Sequence, residues 1–271
     1  MPESAAGTPL HIITLVKWVP DAQLERRFTA ERRIDRSEGI LGELDEYPLE
    51  AALQIKEAAS RDVRVSALTI GPAGAATAAK KALQIGADDA FHLSDDALTG
   101  ADVVATSAAL AAAIEHVLAD GDAEGEHLVI TGMASEDGES GAVPPQLAER
   151  LGLNLVTQAT AVALEEDRLV VTRASATEQQ RLAAALPAVV SVTDQANEPR
   201  YPNFKAIMAA KKKPMTSWSL ADVGLDASAV ASKATVLTAE ARPPRTAGEI
   251  ITDEGDAGVK IVEFLAKERV L

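Results

Sequence analysis

The chain has 271 residues and carries 26 Lys plus Arg against 41 Asp plus Glu, a net charge of −15. That balance excludes a nucleic-acid surface, because phosphates would be repelled by most of this exterior. The absence of cysteine excludes iron–sulfur clusters, thiolate zinc sites, thiol nucleophiles and disulfides together, and 47% hydrophobic residues with only 3% aromatics predict a core of Ala, Val, Leu and Ile.

The opening residues MPESAAGTPLH have neither a basic segment nor an apolar run, and no stretch is apolar for the length of a membrane span. The expectation is an intracellular, cytoplasmic chain with no direct membrane insertion. His11 to Val16 reads as a buried strand that ends at Lys17, Trp18, Val19, Pro20 and Asp21, and residues 22–40 are charged and turn-like. A helix starts near Asp45, which is placed to cap its amides, with Pro48 in the first turn and Leu49, Ala52 and Leu53 facing inward. Val63 to Ile70 is the next strand, and an Ala-rich helix follows Gly71 and Pro72 and stops near Gly86. Residues 101–119 give the longest helical pattern, with Val104, Ala108, Ala111, Ile114 and Leu118 recurring. Strands alternating with helices predict an α/β fold with a mainly parallel sheet flanked by helices.

Leu128 to Thr131 delivers the chain into Gly132, and residues 132–143 read GMASEDGESGAV before a helix carrying Leu147 and Leu151. Glycines let a backbone approach a ligand, and a helix N-terminus after a strand suits phosphate. The spacing matches neither the dinucleotide fingerprint nor a P-loop. Glu136, Asp137 and Glu139 offer a carboxylate cluster, whose ordinary explanation in an exposed loop is solvation. His11, His92, His116 and His127 lack metal-ligand spacing, so no metal site is expected. Neither Ser135 nor Ser140 sits in a nucleophile elbow, and no catalytic residue is expected. From Leu155 to Ser175, Glu165, Glu166 and Asp167 separate two β-rich runs, which predicts a hairpin added antiparallel to the sheet.

The apolar run Ala188 to Val192 should be another strand, and it feeds a loop braced by Pro199 and Pro202. Two prolines in four residues favour an extended, pre-ordered projection over a helix. It displays Arg200, Tyr201 and Phe204 ahead of a basic spot, Lys211, Lys212 and Lys213. Tyr201 and Phe204 either anchor a partner or fold back over the core, and the residues alone leave both open. Beyond Lys213 the pattern loosens until a final helix, about Asp256 to Val270, which carries Val259, Val262 and Leu265 on one face.

Three stretches together resemble the β-subunit of electron-transfer flavoprotein: residues 15–21 (LVKWVPD), 197–201 (NEPRY) running into 207–213 (IMAAKKK), and 242–248 (RPPRTAG). The resemblance implies an adenine-nucleotide α-hydrolase-like fold, with residues 1–220 as the nucleotide-binding domain and 221–271 as an arm wrapping an α-subunit. It implies a non-catalytic electron carrier in fatty acid β-oxidation, in a heterodimer whose α-subunit holds most of the FAD. Acyl-CoA and other flavin dehydrogenases would feed it, and a quinone reductase would receive the electrons.

By position, a structural AMP would lie against Leu15, the segment Gly42, Glu43, Leu44 and Asp45, Ile70, and the loop Gly132, Met133, Ala134, Ser135, Glu136, Asp137, Gly138, Glu139, Ser140, Gly141, Ala142 and Val143. Partner docking would fall to Arg200, Tyr201, Phe204, Ile207 and Met208, with Phe204 at the anchor position where relatives often carry leucine. Gly42, Met133 and Ala134 depart from residues frequent in the family, and Ala174 stands where many relatives have an acid. Electron-bifurcating members hold a second FAD in the same pocket, and an ATP-binding or ATP-hydrolysing protein of the same fold is a further alternative.

Overall fold

The computed structural model describes residues 7–119, 125–165, 168–244, 248, 250 and 252–271. The chain divides into two compact units, residues 1–239 and 240–271. The first is built on a nine-stranded sheet in the order β11-β5-β4-β1-β6-β10-β7-β8-β9. Its strands are β1 (Leu10–Leu15), β4 (Val63–Ile70), β5 (Asp89–Leu93), β6 (Glu126–Gly132), β7 (Asn154–Glu165), β8 (Arg168–Ala174), β9 (Gln179–Ala185), β10 (Ala188–Val192) and β11 (Met215–Trp218). Two short strands, β2 (Trp18–Val19) and β3 (Ile40–Leu41), pair antiparallel outside it.

The parallel strands read as continuous apolar runs because both of their faces are covered. Leu10 and Ile12 point into one core with Val65, Leu128, Ile130 and Val190, where α1 (Glu46–Ala58) and α2 (Ala76–Ile85) contribute Leu49, Ala52, Ala78 and Ala82. Ile13 and Leu15 point the other way with Leu68, Val129 and Val189, against α3 (Val103–Ala119) and α4 (Val143–Leu151). The small side chains expected from composition allow this close approach: a methyl added at Gly86, after α2, would sit 2.7 Å from Leu53 Cδ1. Val104, expected on the inner face of α3, is 42% exposed, and Ala105 and Ala109 are buried instead.

The anticipated hairpin is present as β7 and β8, antiparallel, with Glu166 and Asp167 outside the described residues. β7 begins parallel to β10 and continues antiparallel to β8. Gln158, with φ of 60°, marks the change, and its N–H donates to Ser191 Oγ at 3.1 Å. Three strands of the large sheet escaped the sequence reading, as did the short pair β2 and β3. β5 is fully buried, β9 has a run of alanines that reads as helix former, and β11 lies where the pattern loosens. On β11, Trp218 stacks on Phe91 with ring centroids 4.8 Å apart and receives the edge of His116 at 4.7 Å.

A further helix, α5 (Phe204–Ala210), follows Pro202, where an extended projection was expected. The proline fixes only its own φ, and Asn203 Oδ1 then accepts from Ala206 N at 2.9 Å, which caps the helix. The second unit contains α6 (Ala257–Lys267), in which Val259, Ile261, Val262 and Phe264 are all more than half exposed. No helix among the described residues is long and apolar enough to cross a membrane.

Candidate functional site

β1 pairs with β4 on one side and β6 on the other, so strand order reverses at its carboxyl end. Open α/β sheets leave a crevice at such a switch point. Here the crevice is a cavity lined by Leu15, Val16 and Lys17 after β1, Leu68 and Ile70 of β4, Thr106 and Leu110 of α3, and Thr131 and Gly132 of β6. Asp45 and the loop residues Ala134, Ser135, Ser140, Gly141, Val143 and Pro144 complete it. One wall is aliphatic, and the other carries a cation, hydroxyls and backbone.

Of the residues anticipated for a nucleotide, Leu15, Asp45, Ile70, Gly132, Ala134, Ser135, Ser140, Gly141 and Val143 line this cavity. Gly42, Glu43 and Leu44 instead form the turn that supports it: a methyl on Gly132 would lie 3.0 Å from Leu44 O and 3.1 Å from Asp45 Oδ1. Glu136 joins the two segments by accepting from Glu43 N at 3.1 Å, and burial raises its pKa. Met133, Asp137, Gly138, Glu139 and Ala142 belong to the loop without facing the cavity. Lys17, Thr106 and Leu110 line it and were missed as site residues. The threonine and leucine four apart in an Ala-rich helix were the available signal for one face of α3.

Two expectations for carboxylates are corrected. Asp45 does not cap α1. It is buried, and its Oδ2 accepts from Lys17 N at 2.7 Å. Burial pushes its pKa up to about 7, against the pull of the Lys17 amide and ammonium. Asp137 is not a solvated loop residue either. Its side chain is 5% exposed and meets Lys17 Nζ at 2.7 Å and the Arg36 guanidinium. Burial opposes its ionisation, but the two cations prevail and hold its carboxyl well below the usual range. Arg36 O in turn accepts from Trp18 Nε1 at 3.1 Å. Among the described residues no group of three His, Asp or Glu is arranged to hold a metal ion. His11 Nε2 lies 2.7 Å from Ser66 Oγ, and His92 Nε2 lies 3.0 Å from Gly71 O.

The loop's donors for an anion differ from the expected helix terminus. α4 begins Val143-Pro144-Pro145, so its first turn lacks two N–H groups. The loop just before it compensates. Gly141 is left-handed, with φ of 61°, and Ala142 is right-handed. A left-handed residue beside a right-handed one turns successive N–H groups into one concavity suited to an anion. The amides of Ser140, Gly141 and Val143 have no protein acceptor among the described residues. Lys17 Nζ reaches the same loop, 3.3 Å from Ser135 Oγ.

The loop after β10 has the opposite character. Tyr201 is 91% exposed and Phe204 78%, so neither folds back over the core, while Met208 is exposed and Ile207 half-buried. Arg200 is not displayed outward as expected: its guanidinium lies on Glu50 and Glu57 of α1. Lys211 and Lys212 are exposed, but Lys213 leaves the basic spot to donate to carbonyls at the end of α2.

The electron transfer flavoprotein domain family matches residues 33–223. Electron transfer flavoprotein subunit beta of Mycobacterium tuberculosis (strain ATCC 25618 / H37Rv) is 42% identical over 270 residues, covering 96% of this chain and 99% of that protein. The subunit of the same name from Megasphaera elsdenii is 31% identical, over 96% of this chain and 98% of its own. Caffeyl-CoA reductase-Etf complex subunit CarD of Acetobacterium woodii is 33% identical, over 90% of this chain and 92% of its own. Agreement along nearly the whole chain, on an α/β sheet with a cavity at its switch point, leads to one conclusion: this chain belongs to the electron-transfer flavoprotein family, as one of its β-subunits.

Proposed function

We propose that this β-subunit grips one AMP without transforming it and presents a docking loop to flavin dehydrogenases, while the α-subunit of the heterodimer holds the FAD. FAD, when bound there, supplies the redox chemistry. The observation that carries the reading is the cavity itself, with its aliphatic wall and an unpartnered amide concavity beside Lys17. Leu15, Ile70 and Leu110 suit an apolar ring face, and Lys17 with the amides of Ser140, Gly141 and Val143 suits a phosphate. Among the described residues Ser135 Oγ accepts from the Lys17 ammonium and a backbone amide and Ser140 Oγ from a backbone amide, with no imidazole or carboxylate on either hydroxyl, which supports a holding role over hydrolysis of a bound ATP.

Docking is assigned to Tyr201, in the loop before α5, and to Phe204, Ile207 and Met208 on the helix capped by Asn203. Acyl-CoA and other flavin dehydrogenases are the donors in this reading, a quinone reductase is the acceptor, and the cytoplasm is the compartment. The segment 221–271 is assigned to the α-subunit on the strength of its last part, since α6 buries none of its own residues, whereas Val230 is buried in the core of the first unit. A second reading, FAD in place of AMP, is favoured by the likeness to the CarD subunit of a reductase–Etf complex. Denaturing the co-purified heterodimer and measuring the mass and absorbance of what is released decides between them. One FAD with one AMP per heterodimer supports the proposal, two FAD support the second reading, and ATP in place of AMP overturns both.

A further inference from the structure

The loop between β10 and α5 and the turn after α5 carry two cations whose charges are already engaged. Arg200 Nε donates to Glu50 Oε2 at 2.7 Å and Nη2 to Glu50 Oε1 at 3.0 Å. Nη1 and Nη2 reach the two oxygens of Glu57 at 2.5 and 3.1 Å. A planar guanidinium thus forks two carboxylates about two helical turns apart on α1, a geometry an ammonium cannot copy. Glu50 is only 4% exposed, and Arg200 is its partner cation. Asn197 Nδ2 adds a bond to Tyr47 O at 2.9 Å, nearer the start of the same helix.

Beyond α5, Lys213 Nζ donates to Leu83 O, Gly86 O and Ala87 O at 3.1, 3.2 and 2.5 Å. These carbonyls close α2, where a cation is favoured by unpaired acceptors and by the helix dipole. α5 is therefore fastened to α1 on one side and to α2 on the other, while Tyr201, Phe204 and Met208 between the fastenings stay bare.

We propose that Arg200 and Lys213 are positioning residues, which clamp the loop and α5 onto α1 and α2 so that a partner meets the apolar set Tyr201, Phe204 and Met208 rather than these two cations. The assignment rests on the docking reading above, and it moves Arg200 from the contact surface to the support beneath it. Pre-ordering of this kind removes part of the entropy cost of association.

The test uses the flavin-loaded heterodimer and a purified acyl-CoA dehydrogenase. Arg200→Lys keeps the charge beside Glu50 and loses the fork; Lys213→Met is the second variant, at the other fastening. Each should speed amide hydrogen exchange across residues 203–210 without partner by about tenfold. Each should also raise KM for the heterodimer as acceptor, by about tenfold, and leave kcat unchanged. On a Phe204→Ala background the same substitutions should change KM less than about twofold, because a clamp acts only through what it holds. Equal effects on both backgrounds would mean that the cations touch the partner, and unchanged exchange would mean that they hold nothing; either result overturns the proposal. Should Phe204→Ala alone leave KM unaltered, the docking reading falls, and exchange across 203–210 still decides the clamp.

Discussion

β6 and β10 are adjacent parallel strands, yet the loops that leave their carboxyl ends do opposite work. The first, residues 132–143, turns inward and offers backbone: its glycines stand where a side chain would collide or strain, and its buried carboxylate, Asp137, is neutralised in place by Lys17 and Arg36. The second, residues 193–203 leading into α5, turns outward and offers side chains, with Asn197 and Arg200 bound to α1. A loop that encloses a ligand is specified by what it leaves out. A loop that meets a protein is specified by what it displays.

If the two loops act independently, a change in one should leave the other's readout untouched. Phe204→Ala is the largest expected effect: losing an exposed anchor worth about 2 kcal/mol slows dehydrogenase-driven reduction roughly 30-fold. Flavin and nucleotide content should stay unchanged. A fall in nucleotide content would show that the outward loop also shapes the cavity.

Gly141→Val comes next. A methyl at this position has room, with Met133 O 3.5 Å away, so the cost is the left-handed backbone. A β-branched residue there loses about 1 to 2 kcal/mol, enough to weaken nucleotide binding roughly tenfold and to hinder assembly with the α-subunit. Assembled heterodimer should retain its KM toward the dehydrogenase. Full nucleotide occupancy in this variant would break the claim that the inner loop works through its backbone.

The smallest effect is on pH dependence. Asp45 titrates near 7 in the fold instead of 3.8, so the folded chain binds the extra proton in that interval. Its contribution to stability therefore declines as pH rises from about 4 to 7. Asp137 acts with the opposite sign: held below the ordinary range, it stabilises at neutral pH and loses that contribution only as pH falls under the normal aspartate value. Asp45→Asn keeps an acceptor for the Lys17 amide and should flatten the slope of the thermal midpoint between pH about 5 and 7. An unchanged slope would mean that another group carries it.

The buried parallel strands β1, β4, β6 and β10, the helices α1 to α4 and the hairpin were legible because each has one periodicity and a clear boundary residue, whereas the short buried strand β5 was not. β9 and β11 were not: an alanine-rich edge strand and a short strand after a lysine run are decided by pairing with neighbours, which local pattern does not contain. The cavity's glycines and its strand-end placement could be read directly. Lys17 was visible within a motif, but its place on the cavity wall depends on Asp137, 120 residues away. The Arg200 clamp was hidden for the same reason, since Glu50 and Arg200 are 150 residues apart. α5 was the avoidable omission: Asn203 followed by Phe204, Ile207 and Met208 is a cap and an apolar helical spacing.

The chain's two tryptophans fall on these separate parts of the fold. Trp18 is hydrogen-bonded to the residue that grips Asp137 beneath the inner loop, whereas Trp218 is stacked on Phe91 in an edge strand. Intrinsic fluorescence is therefore a two-channel gauge: emptying the cavity should perturb the Trp18 emission, and the sandwiched Trp218 supplies a steady internal reference. Trp18→Phe would silence the responsive channel and leave the reference in place.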